Sequence, residues 1–270
     1  MVTSRSGSIW TATGPPLPLS SMQNLPPRWL HAVGKTEMRQ VRVYYLDSNH
    51  ILQEYCYTSG KGWYPGEVGN LGVQAAQNTK IAAVEYGDSN GGVHLRVYCQ
   101  ESGSNSIKEI ANDGSWFRAA TLPAAASGSS IAAVAYLWKS LELRVYCQTE
   151  DGSIKENALT DNSGWFVGEF SANAPRGASI SAIGWSIPED GGVELQVYWL
   201  NAQNTIVYSK NTGSWGSPQT VIGGLRAGLN FAAAEWDFGK RLRLYFQGPD
   251  KRVQELYNDG TDVWQPGSLQ

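Results

Sequence analysis

No run of basic residues in this sequence exceeds two, and 24 acidic against 21 basic side chains leave a formal charge of −3. Binding to a phosphate backbone needs a positive field, so nucleic acid is excluded as a partner. No segment approaches eighteen consecutive apolar residues, and the stretch from Met1 to Ser8 has no apolar h-region. The sequence therefore predicts neither a membrane span nor a signal peptide, and a protein that is cytoplasmic or secreted without a recognisable signal. Cysteine and histidine are scarce, at three each. Cys99 and Cys147 fall at equivalent points of a repeat, on the Val side of their strands, and read as small buried hydrophobes rather than a disulfide. His31, His50 and His94 share no repeat position, which argues against zinc, so no metal or cofactor is expected.

What the sequence does have is repetition. Leu143-Arg-Val-Tyr-Cys-Gln148 followed by Asp151-Gly-Ser-Ile-Lys-Glu156 reads as strand, turn and strand, because alternation has the period of a half-buried strand and Asp-Gly favours a hairpin turn. The unit recurs as Arg42-Val-Tyr-Tyr, Arg96-Val-Tyr-Cys, Arg144-Val-Tyr-Cys, Gln196-Val-Tyr-Trp and Arg243-Leu-Tyr-Phe, at intervals of 47 to 54 residues. Twelve or thirteen residues after the arginine stands a glutamate (Glu54, Glu109, Glu156, Glu255), and about twenty after it a tryptophan (Trp63, Trp116, Trp165, Trp215, Trp264). A small-residue strand opens each later unit, as in Ile81-Ala-Ala-Val and Ile131-Ala-Ala-Val. Repeats of this length holding four strands are the signature of β-propeller blades.

The fold class is thus all-β: a propeller of four-stranded antiparallel blades over residues 29–270, with five complete repeats. The ring is either five-bladed or six-bladed with the sixth incomplete. Residues 1–28, rich in Pro, Ser and Gly, read as a lead-in; Gly7-Ser-Ile-Trp10 resembles the outer-strand end of a blade. Inner strands are expected near 29–34, 80–86, 130–136, 179–185 and 230–236.

The recurrent Arg and Glu are hard to explain as core, since both are costly to bury unless paired. Their convergence on one face needs an odd-numbered hairpin loop or a bulge, such as Glu150 to Gly152 as a three-residue loop; the second copy needs one residue more. A guanidinium donates a planar fork, a carboxylate accepts two hydrogen bonds and an indole covers an apolar patch, a set that matches vicinal sugar hydroxyls beside a C–H face. The competing readings are structural Arg–Glu bridges in a protein-interaction scaffold, tryptophans that only pack, and a propeller glycosidase using a carboxylate pair. For the last, Glu85, Glu235 and Asp237 are the only candidates, and they recur at equivalent positions rather than forming one distinctive cluster.

The residues Ile131 to Val134, Arg96 to Cys99, Ile154 to Glu156 and Gly114 to Trp116 resemble the repeat of the fungal fucose-specific lectins, a likeness that spans about residues 29–267. That family is a six-bladed β-propeller with L-fucose sites between neighbouring blades. The resemblance implies a multivalent, non-enzymatic lectin for fucosylated glycans, and a homodimer as in the family. It assigns Arg42 and Glu54 with Trp116 to one site, Arg96 and Glu109 with Trp165 to a second, and Arg144 and Glu156 with Trp215 to a third. Arg243 and Glu255 need a following blade, which in a five-bladed ring supplies Tyr55 and Trp63. Gln196 and Tyr208 replace the pair in the fourth blade, so that pocket is expected to be dead. Tyr55 alone is aromatic among the residues that follow the glutamate position, so the pockets are expected to differ in affinity.

Overall fold

The computed structural model describes residues 31–34 as backbone, and 40–88, 91–137, 139–161, 163–187, 191–248, 250–261 and 263–269 in full. Twenty strands form five four-stranded sheets, each antiparallel and wound in sequence order. The first sheet comprises His31–Gly34, Gln40–Leu46, Leu52–Thr58 and Gly62–Pro65; the second, Ile81–Gly87, Val93–Gln100, Ser106–Asn112 and Trp116–Ala124. The third comprises Ile131–Leu137, Leu141–Gln148, Ser153–Thr160 and Trp165–Asn173; the fourth, Ile180–Ile187, Gly192–Leu200, Ile206–Asn211 and Gln219–Ile222. The fifth comprises Phe231–Trp236, Arg241–Gln247, Val253–Asn258 and Gln265–Pro266. All five expected inner strands are present. The expected lead-in, residues 1–28, lies outside the described residues.

The described residues form two compact units, one ending at Ala124 and the other beginning at Ala125. In the first unit the core lies between its two sheets, with Tyr44, Leu52, Ile81, Val97 and Ile110 buried together. In the second unit the inner strands are stitched side by side: the Ile180 amide donates to Ser130 Oγ at 3.1 Å, and the Ala233 amide to Ser181 Oγ at 2.9 Å. Alanine suits these strands because close approach leaves room for little more than a methyl, and Ala132, Ala135, Ala233 and Ala234 are buried.

The hairpins between second and third strands fix the register on which any site depends. In the third sheet the Thr149 amide donates to Ser153 O and the Gly152 amide to Thr149 O, closing a three-residue loop from Glu150 to Gly152. Gly152 has φ +86°, the left-handed corner that the loop requires. Glu156 consequently pairs with Tyr146 and shares a face with Arg144. In the second sheet the Glu101 amide donates to Ser106 O, so the loop gains the one residue that the longer spacing needs, and Glu109 pairs with Tyr98. The tryptophan strand is incomplete in two sheets. Trp215 and Trp264 lie just ahead of Gln219–Ile222 and Gln265–Pro266, and Pro218 and Pro266 lack the amide that a longer ladder would use.

Candidate functional site: Arg–Glu pockets on the sheet faces

In the first unit, Arg42 on the second strand and Glu54 on the third converge, with Arg42 Nε 3.6 Å from Glu54 Oε1. The carboxylate is held on every side. Tyr44 OH donates to Oε1 at 3.3 Å, while the Glu67 amide and Trp116 Nε1 each donate to Oε2 at 3.2 Å. Trp116 comes from the fourth strand of the next sheet and meets Tyr44 edge to face at 5.9 Å. Burial raises the Glu54 pKa, and the favourable Arg42 charge and hydrogen bonds offset that only in part. Arg42, Glu54 and Trp116 line a pocket of about 520 Å³ whose wall also includes Gln40, Cys56 and Lys61. That volume lies within the usual small-molecule range of roughly 300–1,000 Å³.

The second unit repeats the pair. Arg144 Nε lies 3.4 Å from Glu156 Oε1, and Glu156 accepts from Tyr146 OH at 3.0 Å and from the Phe170 amide at 3.1 Å. Trp215 from the next sheet packs on Tyr146 at 6.3 Å and on Phe170 at 4.6 Å, so its ring closes over the same corner. Arg96 and Glu109 (3.6 Å), and Arg243 and Glu255 (3.5 Å), carry the same contact within their own sheets. Tyr98 and Tyr245 donate to those glutamates at 3.1 and 3.0 Å. The arginines also lie over aromatics of the first strand, Arg96 on Tyr86 and Arg243 on Trp236.

The structure thus brings together Arg42, Glu54 and Trp116, and Arg144 and Glu156 with Trp215 beside them. Trp165 heads its strand in the second unit, and Tyr55 stacks on Trp63 at 5.7 Å in the first, on the face away from Glu54. The pairings of Trp165 with Glu109, and of Tyr55 and Trp63 with Glu255, join residues of different units and are carried forward as expectations. All three cysteines are free and buried, Cys99 and Cys147 as their shared repeat position implied. In the fourth sheet Gln196 and Tyr208 stand where Arg and Glu stand elsewhere. Gln196 donates to Glu194 at 2.7 Å and accepts from Tyr198 OH, while Tyr208 stacks on Tyr198 at 5.2 Å.

Two features of the pockets escaped the sequence. The hydroxyl of the Tyr of Arg-Val-Tyr orients the carboxylate in four sheets; its place two residues from the arginine, on the same face, was the available signal. The second is a bulge opposite the glutamate. In the third sheet the register jumps between Lys155 and Asn157, and in the second between Lys108 and Ile110, which turns the Phe170 and Ala120 amides onto the glutamates. A small residue three after the tryptophan marks the spot: Gly66, Gly168 and Gly267 leave no room for a β-carbon beside Glu54, Glu156 and Glu255.

The profile of the fungal fucose-specific lectin family matches residues 30–269. A fucose-specific lectin from Aleuria aurantia is 35% identical over 237 residues, 85% of this chain and 73% of that protein. One from Aspergillus fumigatus is 30% identical over 228 residues, covering 80% of this chain and 71% of that one. Among solved structures, a mutant Aleuria aurantia lectin in complex with alpha-methyl-L-fucoside superimposes with a TM-score of 0.76 at 29% identity, over 89% of this chain and 77% of that one. A further structure of the lectin, described as a six-bladed β-propeller, gives 0.76 at 28% identity over 89% and 78%. The five sheets are therefore propeller blades.

Proposed function

The chain belongs to the fungal fucose-specific lectin family, and on that premise we propose that it is a multivalent lectin for L-fucose on fucosylated glycans. In the Arg42 and Arg144 pockets, each within one unit, the arginine and glutamate come from one blade and the tryptophan from the next. One observation carries the reading: the same Arg, Glu and Tyr set recurs in four blades, with Arg Nε to Glu Oε1 between 3.4 and 3.6 Å. A guanidinium edge and a carboxylate side by side present donors and acceptors to two neighbouring hydroxyls, and the indole covers the sugar's apolar face. The pairs lie partly open to solvent on the arginine side, with Arg42 20% exposed, so a ligand has an edge to reach.

Recognition proceeds without catalysis. A glycosidase concentrates its chemistry in one unique carboxylate pair, whereas these groups recur. Glu235 is engaged by the Gly239 amide at 3.2 Å, and Glu85 contributes one wall of the Arg42 pocket. The fourth blade is silent, because Gln196 and Tyr208 stand in place of the arginine and glutamate and are engaged by Glu194 and Gln219. A single pocket of this kind binds a monosaccharide with a Kd in roughly the micromolar to millimolar range, and several pockets on one chain raise the strength on a glycan-coated surface by avidity.

Titration calorimetry of the full chain with L-fucose tests this, with galactose and N-acetylglucosamine as controls. Saturable heat with fucose and none with the controls supports the assignment. Heat with a control sugar but not with fucose overturns the specificity, and no heat with any sugar returns the Arg–Glu pairs to a structural role.

A further inference from the structure

Among the differences between the Arg42 and Arg144 pockets, each contained within a single unit, one bears directly on the guanidinium: the residue two before the arginine. In the Arg144 pocket that residue is Glu142, buried at 4% exposure. Its Oε2 accepts from Arg144 NH2 at 2.7 Å and from Thr160 Oγ1 at 2.7 Å. The same guanidinium donates through NH1 to Leu143 O at 2.9 Å and Leu159 O at 3.0 Å, and its Nε faces Glu156. Four of the five N–H donors of Arg144 are therefore engaged, three of them at ordinary or short distance. In the Arg42 pocket the equivalent residue is Gln40, which is exposed. Arg42 reaches its Oε1 at 3.4 Å and the carbonyls of Val41 and Tyr57 at 3.2 and 3.3 Å. Each of these contacts of Arg42 is longer than its counterpart on Arg144, and among the described residues no second carboxylate holds its outer edge.

We propose that the residue two before the arginine sets the affinity of each pocket for fucose: Gln40 holds the outer edge of Arg42 only by a long, uncharged contact that sugar hydroxyls can replace, whereas Glu142 competes with the sugar for Arg144. The inference rests on the lectin reading above and deepens it. A sugar that takes the N–H of Arg144 that Glu142 holds must displace a buried carboxylate, whose remaining partner would be Thr160 alone. Leaving a buried charge half-satisfied is costly, so the Arg144 pocket is the weaker one. The position varies along the chain as Gln40, His94, Glu142, Glu194 and Arg241, so the pockets of one chain are graded rather than equivalent.

The test uses two variants of the full chain, each retaining one of these pockets: Arg96→Ala, Arg144→Ala and Arg243→Ala together leave Arg42, and Arg42→Ala, Arg96→Ala and Arg243→Ala leave Arg144. L-fucose is titrated calorimetrically into each, and circular dichroism melting confirms the fold. The chain retaining Arg42 is expected to bind about tenfold or more tightly than the chain retaining Arg144. Glu142→Gln in the latter is expected to recover about tenfold, since glutamine keeps the Thr160 and Arg144 contacts without the charge. Gln40→Glu, an exposed change that does not threaten folding, is expected to weaken the former by a similar factor. Unchanged or weaker binding with Glu142→Gln overturns the inference and shows the clamp to be a preorganising contact, and so does Gln40→Glu without effect. Two folded chains that bind no fucose at all overturn the lectin reading, and the inference with it.

Discussion

Substituting Gly66 by alanine would probe the carboxylate without touching any residue proposed to meet the sugar. A β-carbon at Gly66 would sit 2.1 Å from Glu54 Oε2 and 2.6 Å from its Cδ and Cγ, well inside any real contact. A free glutamate would swing aside at little cost, but Glu54 is 4% exposed and its Oε2 is held by the Glu67 amide and Trp116 Nε1. Losing two hydrogen bonds to a charged acceptor, each worth roughly 1.5–3 kcal/mol and partly regained from water, gives an expected destabilisation of about 2–4 kcal/mol. At about 2 °C per kcal/mol for a chain of this size, Tm should fall by about 4–8 °C. Fucose calorimetry should lose one site from its stoichiometry, with the others unchanged. Gly87→Ala is the control, since its β-carbon meets nothing closer than Gly92 O at 3.7 Å. A Gly66→Ala protein with wild-type Tm would refute the pinning of Glu54. One with lowered Tm but full stoichiometry would refute the carboxylate as a sugar ligand.

Three further outcomes follow from the geometry. Arg144→Ala should cost about 3–5 kcal/mol by chemical denaturation, because it strands both Glu142 and Glu156 in buried positions, so a stability loss alone does not distinguish a binding arginine from a structural one. Burial raises the Glu54 pKa, so on acidification the Arg42 pocket, isolated as above, should lose fucose affinity while the pH is still above the ordinary glutamate range. Stability has the opposite sign: a carboxyl whose folded pKa is raised contributes most below its unfolded pKa, and that contribution is lost as pH rises through the folded value, so melting of the same variant should not show Glu54-linked destabilisation by acid. Burial pushes the thiols of Cys56, Cys99 and Cys147 up to about 12, with the Glu54 charge adding to burial at Cys56. A colorimetric disulfide reagent at mildly alkaline pH should therefore titrate none of the three in the native chain and all three after denaturation.

Much of the fold is legible in the sequence because its signals are local and repeated. Asp151-Gly152 marks the hairpin in the sequence but leaves open a two-residue turn, which would part Arg144 from Glu156; the structure has the three-residue loop, with Gly152 at φ +86° as its corner. The convergence of Arg and Glu follows from that register and from period-2 alternation alone. What resisted reading depends on distances between strands that no local pattern encodes. The bulges opposite Glu109 and Glu156 leave only a small residue as a trace, and Ala119 stands in the second copy where the first, third and fifth have glycine and the fourth has Pro218. The Glu142 clamp was equally hidden, since the residue two before the arginine follows no repeat.

The fourth blade explains why the pair must be kept or lost as a unit. A buried carboxylate at position 208 without an arginine at 196 would face Tyr198 unpaired, and an arginine without the carboxylate would keep only Glu194, whose other partner is Lys210 at 2.9 Å. Replacing both resolves the problem: Gln196 joins Glu194 to Tyr198, and the Tyr208 hydroxyl donates to Gln219 Oε1 at 2.7 Å, so each polar group of the emptied site has a partner. The Tyr198 ring, fully buried like Tyr44, Tyr98 and Tyr146, stays in place and meets Trp264 edge to face at 6.2 Å, as Tyr44 meets Trp116. The edge-to-face contact between this tyrosine and the next blade's tryptophan therefore forms without the charged pair. That ring contact does not by itself call for an Arg–Glu pair in the other four blades, whereas the sugar contacts proposed for the pair give its recurrence a reason.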